Sequence, residues 1–421
     1  MASTILSPLL NSLWKYCCIV LLAFPGACGH DRSKPARSIC SDKADVTDNA
    51  QLWADSIYNA MSIEERLAQM LMPAVYARTD VPSMHDIRRY ALEMKVGGIL
   101  LLKGDAVAAA EIADTLESIR NSLPHSPGLF LSMDAETGLG MRFSDAPLFP
   151  WNRDIDSSAD DQDFYDYGRE VGREARIAGI NMILGPVMDI NRTGLNKSGI
   201  MEKRSLGSDP QRVARLSSAY IMGLESQGVA AIPKHFPGHG PTDADSHDRL
   251  PVIHLSLEEL QNMDLIPFQV AIGHGTSGIM VGHLWVPAID SIRRPASFSE
   301  VVIDGLLRMV MGYRGLILID AVNMGAAKGY TGADAIIAGA DIIIAPADTR
   351  KELQNLKDAL NEGRLTEKQV EKSCKRILLQ KYIQNVHKSC RSKDYPADTK
   401  IQERLRREAP DIIYRLKGIS R

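Results

Sequence analysis

Short apolar runs alternate with longer amphipathic ones between about residue 50 and residue 384. The eight apolar runs begin near Met70, Val96, Gly128, Asn181, Val229, Ser277, Gly315 and Ala340. This alternation is typical of a parallel sheet covered by helices. The pairs Ser62 with Glu65 and Ser256 with Glu259 have the spacing of capping boxes and mark two helix starts. Eight strand and helix units predict an α/β fold, a single (β/α)₈ TIM barrel.

Polar residues concentrate where these predicted strands end. Strands three to seven end, in order, in Asp134, Asp189, the pair Lys234 and His235, His283, and Asp320. A (β/α)₈ barrel forms its active site at the carboxyl ends of its strands, while its interior rejects charged groups. One Asp at a strand end is more often a structural hydrogen-bonding residue. The coincidence at five strands predicts a functional site on this face.

The loop after the fifth strand, KHFPGHGPTDADSHDRLP, holds three of the ten histidines within thirteen positions. A metal site, an acid/base loop and a structural turn are the competing interpretations. A metal site would use His235 and His239 at helical spacing. Pro237 and Gly238 argue against a helix there, so the sequence predicts neither a metal nor another cofactor.

In the acid/base interpretation, Asp245 and His247 lie two residues apart, so the carboxylate orients the imidazole and stabilises its protonated form. Asp320 ends the strand GLILID, where a carboxylate is able to face the anomeric carbon of a sugar. A retaining glycosidase needs a carboxylate nucleophile and a second group that gives and takes a proton. Histidine in the second role departs from the usual pair of carboxylates.

The composition agrees with a globular protein that acts on a neutral substrate. The chain has 421 residues, 45% of them apolar and 24% charged, with a formal net charge of −3. This balance implies neither nucleic acid nor an anionic membrane surface as a partner. The six cysteines include no C-x-x-C pair, which argues against a zinc site or a disulfide framework. Cys374 repeats helically with Val370 and Ile377 and is predicted to lie in the core.

The first 28 residues have the features of a signal peptide. Lys15 precedes an apolar run from residue 16 to residue 27 that is too short to span a bilayer. Gly26, Ala27 and Cys28 resemble a lipoprotein cleavage site, with Cys28 as the lipid acceptor, and an ordinary signal peptide is the alternative. The predicted location is the bacterial envelope or periplasm. The predicted divisions are a signal peptide over 1–28, a linker over 29–49, the barrel over 50–386, and a basic tail over 387–421 with a helix broken near Pro410.

Several motifs together resemble glycoside hydrolase family 3, especially its single-domain bacterial β-N-acetylglucosaminidases. They are KHFPGHG with DSH thirteen residues after Lys234, RGLILIDAVNMGA around Asp320, and KRSLGSDP around Arg204. The likeness runs from MSIEERLAQMLMP near residue 61 to VEKSCKRILLQKY near residue 382. It implies that Asp320 is the nucleophile, His247 the acid/base and Asp245 its support.

The same resemblance implies a set of sugar-binding residues for hydroxyl and acetamido groups. They are Asp134, Arg142, Arg204, Lys234 and His235. Many members of the family take a glutamate acid/base from a second domain. Only about forty residues follow the last strand and its helix, fewer than a domain needs. The DADSH loop is therefore expected to supply the acid.

The resemblance implies an exo-acting β-N-acetylglucosaminidase that removes terminal N-acetylglucosamine from peptidoglycan fragments or related glycans, with a carbohydrate as its substrate. Phosphorolysis through the same covalent intermediate, and a β-glucosidase preference, stay open. So do a non-catalytic sugar-binding lipoprotein and a metal-dependent barrel hydrolase. Retention of Asp320, Asp245 and His247 together favours catalysis.

Overall fold

The computed structural model describes residues 38–192, 199, 201–242, 244–388 and 400–419, the first ten of them as helical backbone only. Its described strands are all parallel to their neighbours and follow the predicted apolar runs. They are β1 Leu71–Met72, β2 Ala74–Ala77, β3 Gly98–Gly104, β4 Phe130–Met133, β5 Met182–Ile183, β6 Ala230–Ala231, β7 Lys234–Phe236, β8 Gly278–Val281, β9 Leu316–Ile319 and β10 Ile342–Ile344.

Ten strand segments fill eight positions of a closed barrel because prolines split two of them. One sheet runs β1-β10-β9-β8-β7 and the other β2-β3-β4-β5-β6. Pro73 separates β1 from β2, and Pro233 lies between β6 and β7. Proline has no N–H, but its carbonyl still accepts: Leu100 N donates to Pro73 O at 2.9 Å and Met280 N donates to Pro233 O at 3.0 Å. Each split strand therefore borders both sheets, which confirms the predicted TIM barrel.

Helices cover the outside of this barrel. The α-helices are Ser38–Ala60, Ile63–Ala68, Val81–Arg88, Ala106–Ser122, Asp161–Ala178, Pro210–Glu225, Leu257–Asn262, Leu265–Gly273, Gly332–Ile337, Thr349–Asn361, Glu367–Ile383, Ile401–Leu405 and Ala409–Leu416. Arg89–Glu93 and Val301–Val310 are π-helical. Both predicted capping boxes are present, at Ser62 with Glu65 and at Ser256 with Glu259.

The strands are short and apolar because both of their faces are covered. β4, β8, β9 and β10 are buried along their whole length. Their side chains form one core with the inner faces of the helices. Cys374 is fully buried in a smaller cluster with the N-terminal helix, as predicted.

The predicted fourth strand is shorter than its apolar run. Only Met182–Ile183 pairs as a strand, because Gly185 and Pro186 interrupt the ladder. The chain regains a single parallel bridge between Val187 and Lys234 before it reaches Asp189. Asp189 thus still arrives at the carboxyl end of the barrel.

The described residues near both ends of the chain include helices. The first described helix, Ser38–Ala60, begins inside the predicted linker 29–49 and crosses into the barrel segment. The tail breaks between Leu405 and Ala409, with Pro410 in the first turn of the last helix, where the sequence predicts a break. The predicted signal peptide lies outside the described residues. No described helix is both long and apolar enough to cross a membrane.

Candidate active site

Asp320 directly follows β9 at the carboxyl end of the barrel. Its main-chain amide donates to Val281 O at 3.0 Å, and its Oδ1 accepts from Ala321 N at 2.8 Å. Burial alone would raise the pKa of Asp320, but the nearby imidazoles of His235 and His283 and the Ala321 amide lower it overall. The site therefore keeps this carboxylate ionised, as a nucleophile requires.

His283 fixes the turn that follows Asp320. Its Nε2 lies 3.1 Å from Ala321 O, and its Nδ1 lies 2.6 Å from Ser297 Oγ. Because a carbonyl oxygen only accepts, Nε2 is the donor in the first contact. Burial lowers the pKa of His283. The ring thus supports the residue next to Asp320 through this hydrogen bond.

Two sugar-binding residues predicted from one motif, Asp134 and Arg142, meet Lys234 from β7. Lys234 Nζ donates to Asp134 Oδ1 at 2.8 Å, and Arg142 Nη2 donates to Asp134 Oδ2 at 2.7 Å. Burial would raise the pKa of Asp134, but the two cations lower it. The structure therefore joins these three residues in one ionic cluster.

Arg204 reaches the same cluster through Glu136. Arg204 donates to both Glu136 oxygens, at 2.8 Å from Nε and 2.7 Å from Nη2, and Lys234 Nζ lies 2.9 Å from Glu136 Oε1. Burial would raise the pKa of Glu136, but Lys234 and Arg204 hold it well below its usual range. Arg204 Nη2 also lies 3.3 Å from His235 Nε2. A bidentate pair of this kind fixes the plane of the guanidinium.

His235 and His239 are both held by Asp189 at the end of the fourth strand. Asp189 Oδ2 lies 2.7 Å from His235 Nδ1, and its Oδ1 accepts from His239 N at 2.6 Å. The ring of His239 lies between Thr242 Oγ1 at 3.1 Å and Ser246 Oγ at 3.2 Å. Burial lowers the pKa of His239 to about 4, so this imidazole is neutral at physiological pH.

This geometry argues against a metal at the two histidines. Both ring nitrogens of His235 face Asp189 and Arg204, and both ring nitrogens of His239 face hydroxyl groups. A metal ligand needs a nitrogen lone pair that points into a shared cavity. Within the described part of the chain, no group of three His, Cys, Asp or Glu side chains is arranged to hold a metal ion.

Asp245 and His247 form the predicted pair on the loop after β7. Asp245 Oδ1 lies 2.7 Å from His247 Nδ1 and accepts from His247 N at 2.8 Å. Burial would raise the pKa of Asp245, but the hydrogen bonds from His247 lower it. The His247 side chain is 69% exposed and that of Asp245 is 34% exposed. The imidazole therefore presents its Nε2 to the open rim, with an ionised carboxylate behind it.

Two backbone hydrogen bonds tie this loop to the turn that follows Asp320. Gly325 N donates to His247 O at 3.0 Å, and Ala326 N donates to Ser246 O at 3.1 Å. The Ser246 side chain also contacts His239, which Asp189 anchors. The predicted acid/base and the predicted nucleophile thus lie on two loops that share hydrogen bonds.

The structure brings the predicted sugar-binding residues into one network, and it adds Glu136, which sequence reasoning missed. The available signal was its position two residues after Asp134 in the same motif, DAETGLGMR. Asp189 was predicted at a strand end without a role, and the structure gives it one as the anchor of two histidines. The linked charges surround the carboxyl ends of β4, β7 and β9, where a neutral, hydroxyl-rich ligand would find both donors and acceptors.

The chain resembles known proteins along most of its length. The family model described as "Glycosyl hydrolase family 3 N terminal domain" matches residues 62–379. A β-hexosaminidase of Nitrosospira multiformis is 33% identical over 239 residues, which cover 55% of this chain and 66% of that relative.

Solved structures agree with this likeness. A glycoside hydrolase family 3 β-N-acetylglucosaminidase from Paenibacillus sp. str. FPU-7 has 30% sequence identity and a TM-score of 0.73, covering 82% of this chain and 68% of that chain. A family 3 glycosyl hydrolase from Mycobacterium smegmatis has 30% identity and a TM-score of 0.67, covering 76% of this chain and 97% of that chain. This chain spans about two thirds of the length of the first two relatives. It belongs to glycosyl hydrolase family 3, as its sequence motifs predict, and thus to a family of glycoside hydrolases.

Proposed function

We propose that the chain is a retaining exo-β-N-acetylglucosaminidase that works through a covalent glycosyl ester on Asp320. The observation that carries this proposal is an ionised carboxylate near His235, His283 and Lys234, on a turn hydrogen-bonded to the loop of an Asp–His pair. The relatives named β-hexosaminidase and β-N-acetylglucosaminidase support the choice of an acetamido sugar.

In the first step, a carboxylate oxygen of Asp320 attacks the anomeric carbon. The bond from that carbon to the leaving oxygen breaks as the new ester bond forms. His247 gives its Nε2 proton to the leaving oxygen, and Asp245 stabilises the charged imidazole that is present before this transfer. The aglycone then leaves as a neutral alcohol.

In the second step, water attacks the same anomeric carbon from the side that the aglycone left. The neutral His247 imidazole takes a proton from this water while the ester bond to Asp320 breaks. The products are the free sugar with its β configuration retained, an ionised Asp320 and a protonated His247. The catalyst is restored without any external reactant.

The ionic cluster supplies the sugar-binding groups. Asp134 offers acceptors to sugar hydroxyls, while Arg142, Arg204 and Lys234 offer charged donors. His235 is held by Asp189, so its orientation toward the sugar is fixed before binding.

The direct test is release of nitrophenol from the β-N-acetylglucosaminide and from the β-glucoside, measured side by side with protein that lacks residues 1–28. The proposal expects turnover of the acetamido substrate and loss of that turnover in Asp320→Asn. Turnover of the glucoside alone would contradict the proposed substrate but would agree with the proposed catalytic residues. Formation of sugar 1-phosphate in phosphate buffer would show that the reaction is phosphorolysis and not hydrolysis. No turnover of either substrate would favour a sugar-binding role.

We also propose that the chain is exported and anchored by lipid at Cys28, where it meets peptidoglycan fragments or related glycans. The support is the apolar run over 16–27 and the Gly26, Ala27, Cys28 sequence. Cys28→Ala is expected to move the protein from the membrane fraction to the soluble fraction. Cys17→Ala, in the same apolar run, is the matched control. Unchanged fractionation of Cys28→Ala would contradict the anchor.

A further inference from the structure

The last described residues, 401–419, pack against the barrel over an apolar face. This face is almost completely buried and consists of Ile401, Leu405, Ala409, Ile412 and Leu416. Polar contacts fix its register on the helix Asp161–Ala178: Arg173 Nη1 donates to Arg404 O at 2.9 Å, and Arg415 donates to Asp163 and Asp166 at 2.9 Å each. We call residues 401–419 the C-terminal strap.

The end of the strap holds the loop that precedes that helix. Asp156 N donates to Leu416 O at 2.7 Å. Gly418 has a φ of +63°, and a Cβ added there would lie 2.6 Å from Asp156 Oδ2. An alanine here would be strained by its φ and would displace the Asp156 side chain, whose Oδ1 accepts from Ser158 N at 2.8 Å.

The other end of the same loop holds the backbone of Arg204. Asn152 Nδ2 donates to Arg204 O at 2.6 Å, and Arg153 N donates to Lys203 O at 3.3 Å. Only three residues separate Asn152 from Asp156, and Asn152–Asp154 is a single 3₁₀ turn. A short, hydrogen-bonded turn has little conformational freedom, so a displacement at one end moves the other end as well.

We propose that the C-terminal strap positions Arg204 for sugar binding, with Asn152 as the positioning residue that connects the two. Arg204 has to hold its guanidinium against Glu136 and toward the sugar at the same time. A displaced guanidinium makes weaker charged hydrogen bonds to the bound sugar, which raises KM. The strap thus acts on the sugar site indirectly, through the loop that holds Arg204, and this is the role that we propose for the basic tail. The kinetic part of this inference rests on the proposed function.

The test uses a matched pair of glycines in the full chain. Gly418→Ala pushes on Asp156, whereas Gly363→Ala introduces the same strain, at a φ of +71°, where no atom lies within 4 Å of the added Cβ. Both variants lose a comparable amount of folding stability, on the order of 1 kcal/mol. Only Gly418→Ala is expected to raise KM for the nitrophenyl N-acetylglucosaminide, by about 3- to 10-fold, with kcat changed less than about twofold.

Asn152 provides a second variant that does not depend on the folding of the strap. Asn152→Asp keeps the shape of the side chain but removes the donor, and we expect it to raise KM at least as much as Gly418→Ala does. In an Arg204→Lys background, Gly418→Ala is expected to have no further effect on KM, because both changes act on one contact. Full additivity of the two changes would overturn the proposal, since the strap would then act on another group.

Amide hydrogen exchange separates this inference from the proposed function. The amides of Ser205 and Gly207 are hydrogen-bonded, to Met201 O at 3.0 Å and to Ser205 Oγ at 3.1 Å, so residues 201–207 report on the order around Arg204. Gly418→Ala is expected to speed exchange there relative to Gly363→Ala, even if the protein cleaves none of the substrates tested. Equal exchange in the two variants would overturn the proposal, and so would an unchanged KM in an active Gly418→Ala enzyme.

Discussion

Gly325 N donates a hydrogen bond of 3.0 Å to His247 O, so the turn after the predicted nucleophile contacts the backbone of the predicted acid/base. A Cβ added to Gly325 would lie 2.7 Å from His247 O and 2.5 Å from Asp248 O. The two loops therefore approach at a distance that only glycine allows. Their separation is set by backbone contact and is independent of the His247 side chain.

Gly325→Ala tests this contact. The methyl group displaces the backbone of the His247 loop, so we expect kcat to fall by about 10- to 100-fold. The fall is expected to be larger for substrates with poor leaving groups, because these need a well-placed proton donor. Gly273→Ala, which adds a methyl group with no atom within 4 Å, is the control and is expected to keep normal kinetics. Equal kcat values for the two variants would show that the contact does not position His247.

Asp245→Asn tests the pair behind the proton donor. The hydrogen bonds from His247 lower the pKa of Asp245 against its burial, so the carboxylate is ionised throughout the neutral range and stabilises the protonated imidazole. Without that charge, the imidazole loses the partner that orients its ring and stabilises its protonated form. We expect kcat/KM at neutral pH to fall by about 10-fold.

The matched control for this change is Asp248→Asn, which removes an exposed carboxylate three residues further along the same loop. Its kcat/KM is expected to match that of the unmodified enzyme, because surface charges are screened. An equal loss of kcat/KM in both variants would assign the effect to the general charge of the loop and would remove Asp245 from its proposed role.

Glu136→Gln tests the residue that joins Arg204 to Lys234. The change leaves the buried Lys234 and the partly buried Arg204 with one fewer anion, and breaking such a cluster costs up to about 3–5 kcal/mol of unfolding free energy. We expect kcat/KM to fall by about 100-fold as the guanidinium loses its bidentate anchor. Denaturant unfolding and initial rates measure the two effects. Glu202→Gln, which breaks the exposed pair with Arg153, should change the unfolding free energy by less than about 1 kcal/mol.

Glu174→Gln tests a buried carboxyl group away from the site. Neither carboxylate oxygen has a hydrogen-bond partner among the described residues, and burial raises the pKa of Glu174 well above its ordinary value of 4.5. Above that ordinary value the unfolded chain gives up its proton while the folded chain keeps it. The wild-type unfolding free energy therefore falls as pH rises, until the pH passes the raised pKa.

The glutamine side chain does not titrate, so the unfolding free energy of the variant does not fall with pH in this way. We therefore expect the unfolding free energy of the variant, relative to that of the wild type, to rise by at least about 1 kcal/mol between pH 5 and pH 8.5. Thermal or denaturant unfolding measures this difference. Glu111→Gln changes an exposed carboxylate and is the control. A difference in unfolding free energy that does not change with pH would mean that Glu174 is not held protonated in the fold.

The strands and the strand-end residues are predictable from the sequence because they follow from local pattern and barrel geometry. Apolar runs such as LILI and III form strands that are buried on both faces, and the residues after them reach one rim in any parallel barrel. The position of Asp320 and Lys234 at the same rim therefore follows without any knowledge of the loops. The break at Pro410 is equally local, since proline begins a helix more readily than it continues one.

Side-chain contacts that depend on the paths of the loops cannot be predicted from local sequence pattern in this way. Glu136 pairs with Arg204 across 68 positions, and nothing local in either motif identifies the other as its partner. The amphipathic spacing of Leu405, Ile412 and Leu416 shows that one face is covered, but it leaves open which helix covers it. The strap and its contact with Asp156 depend on long-range packing, which only the folded chain specifies.

The most direct test of the account is to trap the glycosyl ester in His247→Ala. With a nitrophenyl leaving group the first step needs little protonation, whereas the second step lacks its base, so the ester accumulates. Acid quenching, proteolysis and mass spectrometry are expected to find N-acetylglucosamine on the peptide RGLILIDAVNMGA at Asp320, and none in the double variant His247→Ala with Asp320→Asn. An adduct on a different carboxylate would contradict the central claim, as would turnover to an inverted sugar without any adduct.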